Sequence, residues 1–437
     1  MSQIDNNMYK IFSMSKEKNN HYSAIVKYFP LMLFLFLLSC SKKDNNNNNS
    51  NNNTFTFDAE VTVQANDTKQ VIEGFGCATV FIPANTSLSA SDLDHLFGNS
   101  TNEVGLNILR IRLASDNGWR AIELANAKGA IQRGAKVLAT PWSPPASMKI
   151  NNNIIGGSLI ADSSASYAKY LNDFADYMSV NGAPIYAVSI QNEPDITVNY
   201  ESCNWTAEQM RDFLKNYGQL ITSTKVLAPE SFHNDQNFTN TILNDNTAAS
   251  HVNIVGGHIY GGGIVENTVA ESEGKEVWMT EHLDTNISYA ADLNTAVEIH
   301  NCLTQANFSA YIWWYGKRFY GPIDDNGNIT KRGYVMSQFA RFIAPGSVRL
   351  GTGNNSNAAV LISAYKSTGG KITIVAINTS DGIANQKITV SNASVSQVLP
   401  YTTAADKNTA TGAAITVTNN IFTDSLPPNS ITTFVQQ

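Results

Sequence analysis

The sequence predicts an α/β protein, a (β/α)8 TIM barrel with a fused side β-sandwich domain. Two observations predict the barrel: eight apolar or β-branched segments recur along the middle of the chain, and stretches with helical periodicity separate them. A third observation predicts the side domain, because the pattern after Pro345 changes to short alternating strands with turns between them.

The barrel strands are predicted from runs bounded by turn residues. They are Val71–Gly76, Leu106–Leu113, Lys136–Trp142, Ile185–Gln191, Lys225–Glu230, Val252–Ile259, Glu276–Thr280 and Ala310–Trp314. Helices are predicted at Ala165–Val180, Thr206–Ile221, Ala291–Leu303 and Gly333–Phe342. Thr206 is a predicted N-cap, since Gln209 follows three residues later. We therefore assign residues 68–344 to the barrel.

The side domain is predicted to be an antiparallel sandwich built from both ends of the chain. Its strands include Ala359–Tyr365, Lys371–Ile377, Gln386–Val390 and Ile431–Val435. The segment Phe55–Gln64 alternates in the same way, so we expect it to pair with the C-terminal sheet. This places residues 55–67 and 345–437 in one domain.

The first 54 residues are predicted to lie outside the fold. Lysines precede the short apolar run Leu31–Leu38, which is typical of a secretory signal and too short to span a membrane. The run ends in Leu37-Leu38-Ser39-Cys40, which resembles a bacterial lipobox with Cys40 as the lipidated residue. Asn-rich residues 41–54 then predict a flexible tether. We expect a protein anchored by lipid in the bacterial cell envelope; the alternative is an ordinary signal peptide with a chance cysteine.

The composition favours a neutral, hydroxyl-rich ligand. The net charge is -7, charged residues make up 15%, and no basic block follows the signal, so nucleic acid is not an expected partner. Cys77, Cys203 and Cys302 are odd in number and no Cys/His cluster has metal-ligand spacing. We expect no metal, no cofactor, and a monomer that meets the membrane only through its anchor.

Two glutamates carry the functional hypothesis. Glu193 follows the fourth predicted strand and Glu281 follows the seventh, so both face the rim where barrel enzymes place catalytic groups. A pair of carboxylates across a pocket mouth is the apparatus of glycoside hydrolysis. The alternative for either residue is a helix N-cap or a structural salt bridge.

Several neighbouring side chains are candidate substrate contacts. Asn192 is placed to bond a sugar 2-hydroxyl, while Trp142 and Trp314 either stack on sugar rings or pack in the barrel core. Tyr260 or His258 would orient Glu281, unless His258 is a structural core histidine.

The second predicted strand carries two arginines with the same facing. Arg112 would hydrogen-bond a carboxylate at the rim, or Arg110 and Arg112 would only fill the barrel interior. In the eighth strand Trp313 alternates with Trp314 and is expected to pack outward.

Five motifs together resemble family 30 of the glycoside hydrolases: Gly74–Gly76, Pro141–Pro145, Ser189–Pro194, Trp278–Glu281 and Trp313–Tyr315. The resemblance covers about residues 55 to 437. It implies a retaining mechanism with Glu193 as acid/base and Glu281 as nucleophile, and a barrel with a fused β-domain. It also places Tyr315 among the substrate contacts.

Two further motifs, Tyr320–Ile323 and Lys331–Tyr334, resemble the bacterial xylanase branch of that family. This resemblance implies endo-cleavage of β-1,4-xylan, with Arg318 or Lys317 gripping a glucuronate carboxylate. The chain departs from the branch after Glu281, where a longer Tyr- and Ser-bearing loop is usual. The alternatives are an endo-β-1,6-glucanase, a glucosylceramidase-like β-glucosidase, or a surface glycan-binding lipoprotein without catalysis.

Overall fold

The computed structural model describes residues 57–80 and 87–437. The predicted signal segment, the lipidation at Cys40 and the Asn-rich tether all lie outside these residues. Among the described helices, none combines the length and the apolar character that a membrane crossing requires.

Eight parallel strands close into a barrel, as predicted. They are β2 (Gly74–Ala78), β3 (Ile108–Leu113), β4 (Lys136–Pro141), β5 (Ala187–Ser189), β6 (Lys225–Ser231), β7 (Ile254–His258), β8 (Glu276–His282) and β9 (Ala310–Tyr315). All six positions of β3 and β9 are buried, because one face fills the barrel and the other packs under helices.

Helices cover the barrel between successive strands. They are α1 (Ala90–Phe97), α2 (Arg120–Ile131), α3 (Ser164–Val180), α4 (Ala207–Tyr217), α5 (Gln236–Leu243), α6 (Asn246–Ser250), α7 (Thr268–Ser272), α8 (Tyr289–Thr304) and α9 (Lys331–Ala340). Short 3-10 turns lie at Ala146–Met148, Ala161–Ser163 and Gly218–Leu220. The Thr206 side chain accepts a hydrogen bond from the backbone of Gln209, which completes the predicted capping box.

The side domain is one ten-stranded sheet. Its strands are β1 (Ala59–Ile72), β10 (Ser347–Thr352), β11 (Val360–Lys366), β12 (Ile372–Asn378), β13 (Ala384–Ser391), β14 (Gln397–Ala404), β15 (Lys407–Thr411), β16 (Ile415–Thr416), β17 (Ile421–Leu426) and β18 (Ser430–Gln436). The sheet curls over a shared apolar core, so Phe422 and Phe434 meet at 5.1 Å although their strands are far apart in sheet order.

Two details of the predicted strands were wrong. β1 continues in the side sheet to Ile72, so the first barrel strand begins at Gly74 rather than at Val71. β1 also runs parallel to β13, so the sheet is mixed rather than antiparallel. Both errors have one cause: pairing between the two ends of the chain leaves no local signal of direction or extent.

The barrel interior follows the two-residue period of its strands. An apolar cluster at the lower level takes one residue from most strands, among them Ile108, Leu138 and Ile254. Arg110 and Thr140 come two residues after Ile108 and Leu138, and they point into the barrel as well because alternate side chains of a strand share a face. The barrel therefore changes from an apolar floor to a polar upper layer.

Candidate active site

The two predicted carboxylates reach the same end of the barrel by departures from regular strand geometry. Glu193 lies just beyond β5 with a left-handed backbone (φ 45°). Glu281 lies in β8 where the pairing register with β7 shifts between Gly257 and His258. Irregularities of this kind redirect a side chain that a regular strand would point elsewhere.

The separation of the carboxylates is short. One oxygen of Glu193 and one of Glu281 lie within 4.8 Å of each other. Both side chains are almost fully enclosed, with Glu193 at 4% and Glu281 at 2% exposure. A gap of roughly 5–5.5 Å is typical of retaining glycosidases, whereas inverting enzymes leave roughly 6.5–9.5 Å for a water. The spacing therefore suits direct attack by one carboxylate.

Arg110 lies at the centre of the polar layer and is fully buried. Its guanidinium donates to Glu281 Oε2 at 2.6 Å and to Asn192 Oδ1 at 2.6 Å. Its Nε donates to Glu230 Oε1 at 3.1 Å. One planar cation thus fixes the orientations of the Glu281 carboxylate and the Asn192 amide relative to each other.

Two side chains at the end of β7 also bond the carboxylates: His258 is the last residue of the strand, and Tyr260 follows it. His258 Nδ1 lies 2.9 Å from Glu193 Oε1. The Tyr260 hydroxyl donates to Glu281 Oε1 at 2.8 Å. Of the predicted pair, Tyr260 contacts Glu281, whereas His258 bonds Glu193.

The electrostatics distinguish Glu193 from another buried acid of the same cluster, Glu230. Burial raises the pKa of Glu193, the hydrogen bond from His258 opposes this rise, and the charge of Glu281 adds to it. Burial alone would raise the pKa of Glu230, but Arg110 and His258 lower it to about 2. Burial alone would lower the pKa of His258, but the carboxylates of Glu281, Glu193 and Glu230 raise it to about 9.

Charge balance follows from these directions. At neutral pH Arg110 and His258 are buried cations, and the carboxylates of Glu230 and Glu281 balance them. A protonated Glu193 leaves the cluster neutral. Buried net charge is costly, so the resting site favours the proton on Glu193.

The same three side chains, Glu193, His258 and Glu281, are close enough to surround a metal ion. A metal ligand must be a neutral imidazole with a free lone pair. The raised pKa of His258 and its bond to Glu193 fit proton transfer better.

Aromatic side chains enclose Arg110. Its guanidinium carbon lies 4.7 Å from the Trp142 ring centroid and 5.7 Å from that of Trp314. Trp142 and Trp314 also meet each other at 5.8 Å. Both are almost fully buried, so they shape the pocket wall and desolvate the charges; stacking on sugar rings stays a prediction. Trp313 lies on the other face of β9 against Arg332 at 4.5 Å, as its alternation predicts.

The remaining predicted contacts, Arg112, Tyr315 and Arg318, have partners of their own. Arg112 pairs with Glu201 and lies 5.0 Å from the Trp119 ring. Arg318 lies 5.9 Å from the Tyr315 ring and 4.0 Å from Asp325. Substrate contact by Arg112, Tyr315 or Arg318 stays a prediction.

Lys317, the alternative to Arg318, is bonded to Asp92 Oδ2 at 2.8 Å. Asp92 is itself the capping-box residue of α1. This arrangement gives Lys317 a structural role at the start of α1.

Sequence reasoning gave no catalytic role to Arg110 or to Glu230. Arg110 was predicted only as a filler of the interior. Glu230 ends the fifth predicted strand as an acid in an apolar run, which is the same signal that singled out Glu193 and Glu281, yet it was given no role.

Comparison with known proteins identifies the family. Residues 90–289 match the model of the glycosyl hydrolase family 30 TIM-barrel domain. Glucuronoxylanase XynC of Bacillus subtilis is 39% identical over 392 residues, which cover 86% of this chain and 92% of the relative. The chain belongs to family 30 of the glycosyl hydrolases. It is accordingly a retaining glycoside hydrolase.

Two solved family-30 structures have the same architecture. The subfamily 8 xylanase Xyn30A of Clostridium acetobutylicum superposes with a TM-score of 0.82 and 40% identity, over 86% of this chain and 99% of that one. A GH30 endoxylanase of Clostridium papyrosolvens C71 has a TM-score of 0.79 and 37% identity, over 86% of this chain and 100% of that one. The family-30 barrel and side sheet thus extend over the matched part of the chain.

Proposed function

We propose that the protein is an endo-acting xylanase that cleaves β-1,4-xylan by double displacement. The observation that carries this proposal is the short gap between Glu193 and Glu281, whose oxygens lie within 4.8 Å. The names of the similar proteins, which describe xylanases and a glucuronoxylanase, support the substrate.

In the first step the Glu281 carboxylate attacks the anomeric carbon of the sugar. Glu193 gives its proton to the glycosidic oxygen, the bond to that oxygen breaks, and a glycosyl ester forms on Glu281. Arg110 and Tyr260 hold the two Glu281 oxygens by separate hydrogen bonds, so attack occurs from a fixed orientation. Asn192 accepts a hydrogen bond from Arg110, and this fixed amide supports the predicted hydrogen bond from Asn192 to the sugar 2-hydroxyl.

In the second step water cleaves the ester. Esterification removes the negative charge of Glu281, and Glu193 has already lost its proton, so Arg110 and His258 remain balanced by Glu230 and Glu193. The ionised Glu193 then takes a proton from the attacking water and regains its resting form. Each step moves one negative charge between the two glutamates without changing the charge of the site.

The test is loss of turnover in Glu281→Gln. The variant should release no reducing ends from xylan while its thermal unfolding resembles that of the wild type. The matched control is Glu276→Gln, on the same strand but at its opposite end, which should retain activity. Wild-type rates in Glu281→Gln would end the assignment, and binding of xylan without cleavage by the wild type would indicate a glycan-binding lipoprotein.

We further propose that glucuronate side groups are not required. The loop after Glu281 is held by Arg332, whose guanidinium donates to Asp284 O and, at 2.7 Å, to Asn286 O. Lys317 is bonded to Asp92, and Arg318 faces Asp325. These neighbours reduce the positive charge that a uronate carboxylate would meet.

Rates on glucuronoxylan, arabinoxylan and unsubstituted xylo-oligosaccharides should therefore agree within about tenfold, with Arg318→Ala affecting all three similarly. Activity confined to glucuronoxylan and lost in Arg318→Ala would contradict this, and cleavage of β-1,6-glucan in place of xylan would reject the substrate.

We also propose that the enzyme is a monomer anchored in the cell envelope through Cys40. The lipobox-like sequence and the Asn-rich tether support the anchor. Cys40→Ser should abolish incorporation of labelled fatty acid and release the enzyme from the membrane fraction. Unchanged fractionation of the variant would reject the anchor, and an elution volume typical of a dimer would reject the monomer.

A further inference from the structure

We propose that Glu230 is a positioning residue for the reaction: its buried carboxylate holds the arginine that orients Glu281 and the histidine that orients Glu193. This inference rests on the proposed function, and the experiments below include one that needs no substrate.

The contacts of Glu230 reach both halves of the catalytic apparatus. Its Oε1 accepts from Arg110 Nε at 3.1 Å, and its Oε2 accepts from Thr140 at 3.2 Å. The same Oε1 lies 3.7 Å from His258 Nε2. That nitrogen is fully buried and has no hydrogen-bond partner among the described residues; it lies nearer to the Glu230 carboxylate than to Glu281 Oε2, which is 4.0 Å away.

The backbone links Glu230 to the acid/base as well. Glu230 has a left-handed backbone (φ 63°), and the pairing of β6 with β7 shifts register around it. Glu193 also has a left-handed backbone, and its amide donates to the Glu230 carbonyl at 3.0 Å. Non-glycine residues rarely adopt this conformation unless the surrounding structure holds them in it, so two bonded neighbours that do so point to a site under positional constraint.

The groups facing Glu230 come from several strands. Arg110 approaches from β3, Thr140 from β4, Ser189 from β5 and His258 from β7. The two cations among them each touch a different catalytic acid, since Arg110 donates to Glu281 and His258 to Glu193. Without the Glu230 charge these two cations have one negative neighbour fewer. The pKa values of His258 and of the Glu193 carboxyl group should therefore fall, so both groups lose their protons at lower pH.

The test is Glu230→Gln, which keeps the shape and removes the charge. We expect kcat on xylo-oligosaccharides to fall at least tenfold with KM changed less than about threefold, since the substrate surface is intact. We also expect the alkaline limb of the kcat/KM profile to move to lower pH by about one unit or more.

Two further variants separate charge from folding. Glu230→Asp keeps the charge and should keep the wild-type pH profile even if kcat falls. Glu123→Gln alters another fully buried glutamate, which bonds Thr79 and the Arg112 amide under α2, and should leave the profile unchanged. An unshifted profile in a folded Glu230→Gln, or the same shift in Glu123→Gln, would overturn the proposal.

An NMR titration of the histidines needs no substrate, so it distinguishes failure of this proposal from failure of the proposed function. The His258 imidazole should stay protonated through neutral pH in the wild type, where its pKa is raised to about 9, and in Glu230→Asp. It should titrate at clearly lower pH in Glu230→Gln. Equal titration in all three proteins would reject Glu230 as its positioning residue, whatever the enzyme cleaves.

Discussion

Replacement of Arg110 by methionine should destabilise the folded protein by an amount that can be worked out from the contacts of Arg110. Arg110 is fully buried and bonds the carboxylates of Glu281 and Glu230 at 2.6 and 3.1 Å. Methionine keeps much of the length of the side chain and removes the charge. The variant leaves two buried carboxylates without the cation between them.

Two estimates of the cost agree. Removing one partner of a buried ion pair costs about 3–5 kcal/mol. The pKa of Glu230 falls from 4.5 to about 2, against the effect of burial and mainly because of Arg110. At 1.36 kcal/mol per pKa unit this linkage is worth about 3 kcal/mol. We therefore expect Arg110→Met to lower the free energy of unfolding by about 3–5 kcal/mol at pH 7.

The pH dependence has a definite sign. A carboxyl group whose pKa is lowered by folding stabilises the protein above its unfolded pKa, and this contribution is lost as the pH falls through the folded value. The difference between wild type and Arg110→Met should therefore shrink between pH 4.5 and 2.

Urea unfolding measured at several pH values tests this expectation. Arg133→Met is the control, because Arg133 pairs with the half-exposed Asp94 and should cost under about 1 kcal/mol. A loss below about 1 kcal/mol at pH 7 for Arg110→Met, or a difference that does not depend on pH, would refute the reasoning.

Three further outcomes are expected. Glu193→Ala should lower kcat on xylan by about 10²–10⁴-fold, because the leaving group is no longer protonated. The loss should be much smaller on aryl glycosides with good leaving groups, and azide should restore turnover on them. An equal loss on both substrates would contradict the role of Glu193 as the acid. Because the folded pKa of His258 is raised from 6.5 to about 9, its contribution to stability should be complete below pH 6.5 and lost as the pH rises through 9, as urea midpoints would show. His258→Gln should lack that alkaline loss, and an identical loss in the variant would assign it to other groups.

The sequence predicted the architecture and both catalytic candidates because each leaves a local pattern. Alternating strands and helices give the barrel, and an acid at the end of an apolar run gives Glu193 and Glu281. Which of Arg110 and Arg112 contacts the catalytic carboxylates was not predictable in the same way. Both arginines lie on β3 and face the barrel interior. The partners that each side chain meets depend on its depth in the barrel, which is set by the stagger of the seven other strands.

The redirected carboxylates show the same limit. Regular alternation from Trp278, which faces the barrel core, would point Glu281 outward, but a register shift turns it inward. Glu230 also depends on a register shift and a left-handed backbone. These irregularities are held by tertiary contacts, so the sequence indicates the strand-end position of each acid but not the direction in which its side chain points.

The stereochemistry of the first product tests the central claim most directly. Because the oxygens of Glu193 and Glu281 lie within 4.8 Å, hydrolysis should proceed through two inversions at the anomeric carbon. Proton NMR during cleavage of a xylo-oligosaccharide should show the β-anomer of the new reducing end first, with the α-anomer appearing later by mutarotation. Initial appearance of the α-anomer would mean a single displacement by water and would contradict the account.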